Sequence, residues 1–331
     1  MQAERFHKNR DGFALILTLL IISLIVVVSL ELNSSMRSEL QAAVNLKDGV
    51  SLRYLAMSGL HYAMAVLYDD GKRTGFDSLE EDWADPGLLE EWSEGMFTEG
   101  GFRLRIIDHS GRIQINQLVY AEGDKKGAYD PVQKAMLSRL LSSEEFALEP
   151  DEVENIIDAI KDWLDPDGEV TRFGAEDSYY KGLERPYACK NGPIDSLEEL
   201  LLVRGITKEL FYGTKDRPGI FDYLTAWGNG KININTAEPL VLMALSKDLD
   251  REMVEEMIAY RSNEDNDISQ PGWYKKVPQM SSEVAIDDRI TTSSLIFEIK
   301  VEAFKDRMQK QCVGFVARGK NAVEVLSWKA D

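Results

Sequence analysis

Residues Phe13 to Leu30 read FALILTLLIISLIVVVSL, 18 positions without a charge. At helical rise this run spans about 27 Å, close to the apolar thickness of a bilayer. It is apolar on every side, which predicts a membrane-crossing helix rather than a surface helix. From Leu32 to about Tyr68 the pattern stays helical. Tyr54, Met57, His61, Met64 and Tyr68 follow one another at spacings of three and four and predict an apolar stripe, with His61 as a packed helix residue. The helix is predicted to stop near Asp70-Gly71, because glycine ends helices readily. One long helix is then half membrane anchor and half spine of a domain.

The pattern changes after Gly75. Gly75 to Gly100 is rich in Asp, Glu, Trp and Gly and reads as an acidic loop with one helical turn. Phe102 to Ile107 and Arg112 to Asn116 alternate apolar and polar. With Asp108-His109-Ser110-Gly111 between them they predict a strand–turn–strand hairpin, and His109 at its tip predicts a solvated turn residue. Helical patterns follow over Pro131 to Leu141, Pro150 to Trp163 and Ser196 to Val203. Pro150-Asp151-Glu152 is a favourable helix start, with proline and acids in the first turn. A short strand at Lys231 to Asn235 precedes helices over Pro239 to Ser246 and Asp250 to Tyr260. Strands return at Leu295 to Phe304, Cys312 to Ala317 and Val323 to Trp328. The simplest closure is an α+β fold. The two strand groups form one antiparallel sheet on the spine helix, and the helical block is inserted between them.

Charge narrows the function classes. The 331 residues carry a net charge of −19. Such a surface repels phosphate backbones, so no nucleic acid is expected as a partner, and it suits a divalent cation better. Arg5, Lys8 and Arg10 outweigh Glu4 and Asp11 ahead of the apolar run, which places the N-terminus in the cytoplasm and the rest across the membrane. The run is longer than an ordinary signal h-region, and no small-x-small site follows it. The sequence contains no P-loop, HExxH or GxSxG pattern, and one of its three histidines, His7, precedes the apolar run. These features predict a non-enzyme, and a membrane-anchored hydrolase finds no clustered catalytic group.

The loop Asp165 to Asp177, DPDGEVTRFGAED, offers oxygens at spacings that echo a calcium loop. Counting Asp165 as one, Asp167 is three, Glu169 five, Thr171 seven and Glu176 twelve. The glycine required at six is replaced by Val170, so it is not a true EF-hand. Asp265-Asn266-Asp267 is a weaker candidate and reads as a flexible loop. Asn233 to Ala237 followed by two short helices resembles a helix-hairpin-helix unit, as does Leu202 to Ile206. The acids Glu238, Asp248, Asp250, Glu252, Glu255 and Glu256 favour a protein-binding module in which Asn235 or Thr236 caps a helix. Cys189 and Cys312 either form one disulfide or are two buried thiols.

The junction Arg10-Asp11-Gly12 before Phe13 resembles the prepilin peptidase site of type IV pilins and type II secretion pseudopilins. In that family the peptidase cuts after the glycine and the next residue becomes N-methylated, which assigns processing to Gly12 and Phe13 and leaves 319 residues. Most members carry Glu at the fifth mature position, where this chain has Leu17; its absence is typical of the K-type minor pseudopilin. Further resemblance to that type lies in Gly111 to Asn116 before Leu118, Asp162 to Asp165, Gly174 to Asp177 with Tyr179-Tyr180, Ser196 to Leu200, and Lys231 to Ala237. The resemblance implies a leader over 1–12, a transmembrane part over 13–30, a spine helix and first strands over 31–118, an inserted α-helical domain over 119–290 and closing strands over 291–331. It implies calcium in the helical domain, with Asp165, Asp167, Glu176 and Asp177 as ligands. It also implies a non-catalytic subunit in the inner membrane with a periplasmic C-terminal domain. That subunit would cap or initiate the pseudopilus tip with the I and J types. The alternative is a minor pilin of a type IV pilus serving adhesion or DNA uptake.

Overall fold

Helix α1 runs from Arg10 to Arg73, 64 residues, in a computed structural model that describes residues 10–93 and 95–330. Glu4, Arg5, His7 and Lys8, and most of the leader, lie outside the described residues. The helix is long because nothing between Phe13 and Val50 interrupts it. The first part is exposed throughout, and the apolar window within it is long enough to cross a membrane. From Leu52 onward one face is buried through Leu52, Leu55, Ala56, Leu60, Ala63 and Leu67.

That face is not the predicted one. Tyr54 is 66% exposed, His61 is exposed, and Met57, Met64 and Tyr68 are only half-buried. Two stripes at helical spacing compete along this segment, and close approach selects between them. A Cβ on Gly59 would lie 2.6 Å from Val301 Cγ1, so only the face carrying Ala56, Gly59 and Ala63 can sit this near the sheet. The helix continues past Gly71 for two residues, where Lys72 and Arg73 suit the negative end of its dipole.

The sheet holds β1 (Gly101–Asp108), β6 (Ile296–Lys305), β7 (Met308–Arg318) and β8 (Val323–Ala330) in the order β1-β6-β7-β8, all antiparallel. Gly101 faces Phe304 and Asp108 faces Phe297. Phe102, Leu104 and Ile106 alternate inward, as their pattern predicts. They pack with the α1 face, Phe297, Ile299, Val301 and Trp83 into one core. Helix α2 (Pro86–Ser93) lies in the acidic segment and supplies Leu89 to it.

No hairpin joins Phe102–Ile107 to Arg112–Asn116. Strand β2 (Ile113–Gln114) instead runs parallel to β3 (Leu224–Thr225). His109 is 1% exposed rather than solvated. The chain turns inward after Asp108 to enter the helical unit, and that unit covers the turn. Ile113, Ile115 and Leu118 therefore belong to the helical core.

The inserted unit contains α3 (Pro131–Leu141), α4 (Pro150–Leu164), α5 (Asp177–Tyr180), α6 (Lys208–Tyr212), α7 (Pro239–Leu245) and α8 (Arg251–Arg261), with the short strand pair β4 (Ile232–Asn233) and β5 (Ile290–Thr291). Helix α4 starts where Pro150 needs no amide partner and Glu152 accepts from the Glu149 amide at 2.9 Å. Ser196 to Val203 is a 3-10 turn rather than an α-helix. Glu238, not Asn235 or Thr236, precedes α7 as its cap.

A buried polar seam joins the two units. The Asn233 amide donates to Ser294 Oγ at 2.7 Å and to the Asp77 carbonyl at 3.2 Å. Ser294 Oγ and Thr236 Oγ1 each donate to Asp108 Oδ2 at 2.5 Å. Arg318 clamps Asp70 at 2.9 Å and also Asp77, and donates to the Ser294 carbonyl at 3.1 Å.

Candidate functional site

Helix α4 buries Val153, Ile156, Ile157, Ile160, Trp163 and Leu164, yet the same helix buries Asp158 and Asp162 and ends on Asp165. These carboxylates hold the following loop. The Thr171 amide donates to both oxygens of Asp162 at 3.0 and 3.1 Å, and the Phe173 amide donates to Asp158 Oδ2 at 3.3 Å. Tyr129 donates to Asp158 Oδ1 at 2.5 Å. Gly174 lies over Asp162 so closely that a Cβ there would overlap the carboxylate. Arg172 adopts φ 27° to let the loop double back.

The fold-back gathers Asp165, Asp167 and Glu176, whose carboxylate oxygens lie within 4.8 Å of one another. Asp165 is 0% and Glu176 2% exposed, while Asp167 opens to solvent. Asp165 Oδ1 and Glu176 Oε1 are buried and accept no hydrogen bond. Burial, reinforced by neighbouring carboxylates, holds both acids above their usual range. The Lys161 ammonium sits on Asp165 Oδ2 and donates to Thr171 Oγ1 at 2.8 Å. Three carboxylates with two unsatisfied buried oxygens are hard donors in an irregular loop. That donor set fits calcium better than zinc, whose structural sites are built mainly from Cys and His, or magnesium, which demands near-ideal octahedral geometry.

Asp177, predicted as a fourth ligand, is not in the cluster. Its carboxylate takes Lys181 at 2.5 Å and the Cys189 amide at 2.8 Å, and the Lys181 contact holds it below the ordinary carboxylate range. No disulfide joins Cys189 to Cys312. Cys189 belongs to the helical core, where its thiol donates to the Asp162 carbonyl at 3.4 Å, and Cys312 belongs to the sheet core. Asp265-Asn266-Asp267 remains a loop closed on itself by Asn263 and Ser269.

A second acidic group, Asp70, Asp77 and Glu81, escaped the sequence reading because its members come from the end of α1 and the loop after it. Arg318, from the far strand β7, already supplies the cation there. Burial, then Glu81 and Asp77, push Asp70 up to about 7. His109 bonds Glu298 Oε2 and Thr225 Oγ1, each at 3.1 Å, inside a sealed seam. Burial brings it down to about 4, so it is a neutral structural imidazole. Asn235 bonds the Ile268 carbonyl and the Trp273 indole, so it is not offered to a phosphate. Gly12 and Phe13 lie in the first turns of α1, with Phe13 69% exposed.

Two regions of the chain, residues 111–214 and 232–290, match the family description "Type II secretion system (T2SS), protein K". The type II secretion system protein K of Aeromonas hydrophila is 29% identical over 245 residues, covering 70% of this chain and 69% of the relative. That of Klebsiella pneumoniae is 26% identical over 238 residues, covering 70% and 68%. Among solved structures, a chain from the GspK-GspI-GspJ complex of the enterotoxigenic Escherichia coli Type 2 Secretion System superposes with a TM-score of 0.71. It covers 87% of this chain and 98% of that one at 17% identity, a likeness of fold.

Proposed function

The chain belongs to the type II secretion system protein K family, and from that membership we propose that it works as the structural tip subunit of the pseudopilus. It is a minor pseudopilin of a type II secretion system rather than a type IV pilus subunit. In this reading it acts without catalysis. Prepilin peptidase would cut after Gly12, and Phe13 would become the methylated first residue. Helix α1 would then hold the chain in the inner membrane with the domain in the periplasm. The I-type and J-type minor pseudopilins would join it, as GspI and GspJ accompany GspK in the E. coli complex.

One observation carries the tip assignment. A unit of six helices is inserted between β1 and β6 of a sheet that is otherwise a simple antiparallel meander on α1. Filament subunits stack through the long helix, and a block this large beside the sheet would collide with a subunit stacked above it. A filament end has no such neighbour. Leu17 agrees with this, since a carboxylate within the bilayer is costly without a partner. Labelling the chain on assembled pseudopili tests the assignment. Label confined to one end is the predicted result, and label along the shaft would sink it.

Calcium at Asp165, Asp167 and Glu176 would fix the loop after α4. The two unsatisfied buried oxygens support this, because such atoms are costly without a cation.

A further inference from the structure

Lys161 stands where a cation would be needed. It lies one helical turn before Asp165 on α4, with a side chain only 13% exposed. Its ammonium bonds Asp165 Oδ2 and Thr171 Oγ1, two oxygens on opposite sides of the loop that closes the carboxylate cluster. The other oxygen of Asp165 is buried and accepts no hydrogen bond, as is Glu176 Oε1, and both residues belong to the carboxylate cluster. The single ammonium thus neutralises part of a site with three carboxylates and leaves the rest uncompensated. The Tyr129 ring lies 5.7 Å from the ammonium, and the Lys134 ammonium lies 4.0 Å from that same ring.

We infer that Lys161 is an internal competing cation: it occupies Asp165 and Thr171 when calcium is absent, and calcium must displace or repel it to bind. This rests on the calcium reading of the site. Two effects set the sign. A unit positive charge beside a divalent ion in a half-buried site opposes binding strongly. Thr171 Oγ1 and Asp165 Oδ2 become available to the metal only when the ammonium leaves. The lysine therefore weakens calcium binding, holds the loop closed without metal, and lets occupancy track external calcium rather than saturate at trace levels.

The test is isothermal titration of the full chain in detergent micelles with calcium chloride, comparing wild type, Lys161→Met and Lys161→Gln. Glutamine keeps a donor for Asp165 but removes the charge. Both variants are predicted to bind calcium tighter, by about tenfold or more. Both are also predicted to melt lower than wild type without calcium and to recover with it. If Lys161 instead positions Asp165, methionine weakens binding and glutamine does not, which overturns the inference. Unchanged affinity in both, or failure of both to fold at saturating calcium, also overturns it. No calcium binding by wild type would defeat the calcium reading itself, and the inference with it.

Discussion

The two units of this chain are built on opposite terms. The spine and sheet join by apolar shape, with Ala56, Gly59 and Ala63 bringing α1 against Phe102 and Val301. The inserted unit has a larger apolar core, but its functional edge is organised by buried carboxylates that grip backbone amides. Charge divides the same way. Residues 119–290 contain 35 acidic and 20 basic side chains, a net −15 of the total −19. A sheet unit near neutrality needs no external counterion. The inserted unit carries the excess, and the Asp165–Asp167–Glu176 cluster within it holds two buried oxygens without a hydrogen-bond partner. The seam between them is settled internally, by Arg318.

Breaking the seam should have the largest effect. Arg318→Ala leaves Asp77, 1% exposed, without its guanidinium, and removing one partner of a buried pair costs about 3–5 kcal/mol. Urea unfolding should show this loss. A loss below about 1 kcal/mol would mean that the seam contributes little to holding the units together.

Acidification probes the same seam more gently. His109 is held near 4 in the fold against 6.5 when unfolded, so the unfolded chain takes up a proton first as pH falls. Stability linked to His109 is intact above 6.5 and is lost between 6.5 and 4, by about 3 kcal/mol in all. The groups facing it are Glu298, Arg112 and Lys300. Asp70 and Asp108, raised to about 7 and about 6, act with the opposite sign, so the comparison of wild type with His109→Gln isolates the histidine. The variant should lose less stability on acidification. Parallel pH profiles would show that the imidazole is not held neutral.

The smallest of the three changes concerns the spine. Gly59→Val inserts atoms 2.6 Å from Val301 Cγ1, and overpacking of this kind costs about 1–3 kcal/mol. Thermal melting should detect it, while calcium affinity stays as in wild type. A change in affinity would mean that the two units are coupled more tightly than their separate cores suggest.

Much of the fold was legible in the sequence, and the failures share a cause. Pro131 to Leu141 reads as a helix from its proline and its spacing, and it is one. Phe102 to Ile107 alternates and becomes β1. Periodicity could not choose between the Tyr54–Tyr68 stripe and the Leu52–Leu67 stripe, since both have helical spacing and only contact with Val301 separates them. It also could not show that the chain leaves the sheet after Asp108, which turned a predicted hairpin tip into the buried His109. At the carboxylate cluster, Asp165, Asp167 and Glu176 were visible as loop acids. Asp177 was not separable from them, because Lys181 one turn along draws it away only once α5 forms. Asp158 was not singled out, and Asp162 entered only within the Asp162 to Asp165 resemblance. A signal for them did exist: two acids four residues apart among Ile157, Ile160 and Trp163 stand within the apolar face of α4.

The proposed cation site is made of three carboxylates and not four. The most direct measurement is thermal melting of the full chain in detergent across a calcium titration, for wild type, Asp165→Asn, Glu176→Gln and Asp177→Asn. The predicted result is a saturable rise in Tm for wild type and Asp177→Asn that is lost in Asp165→Asn and Glu176→Gln. No rise in wild type, or a rise abolished as fully by Asp177→Asn as by the other two, would contradict it.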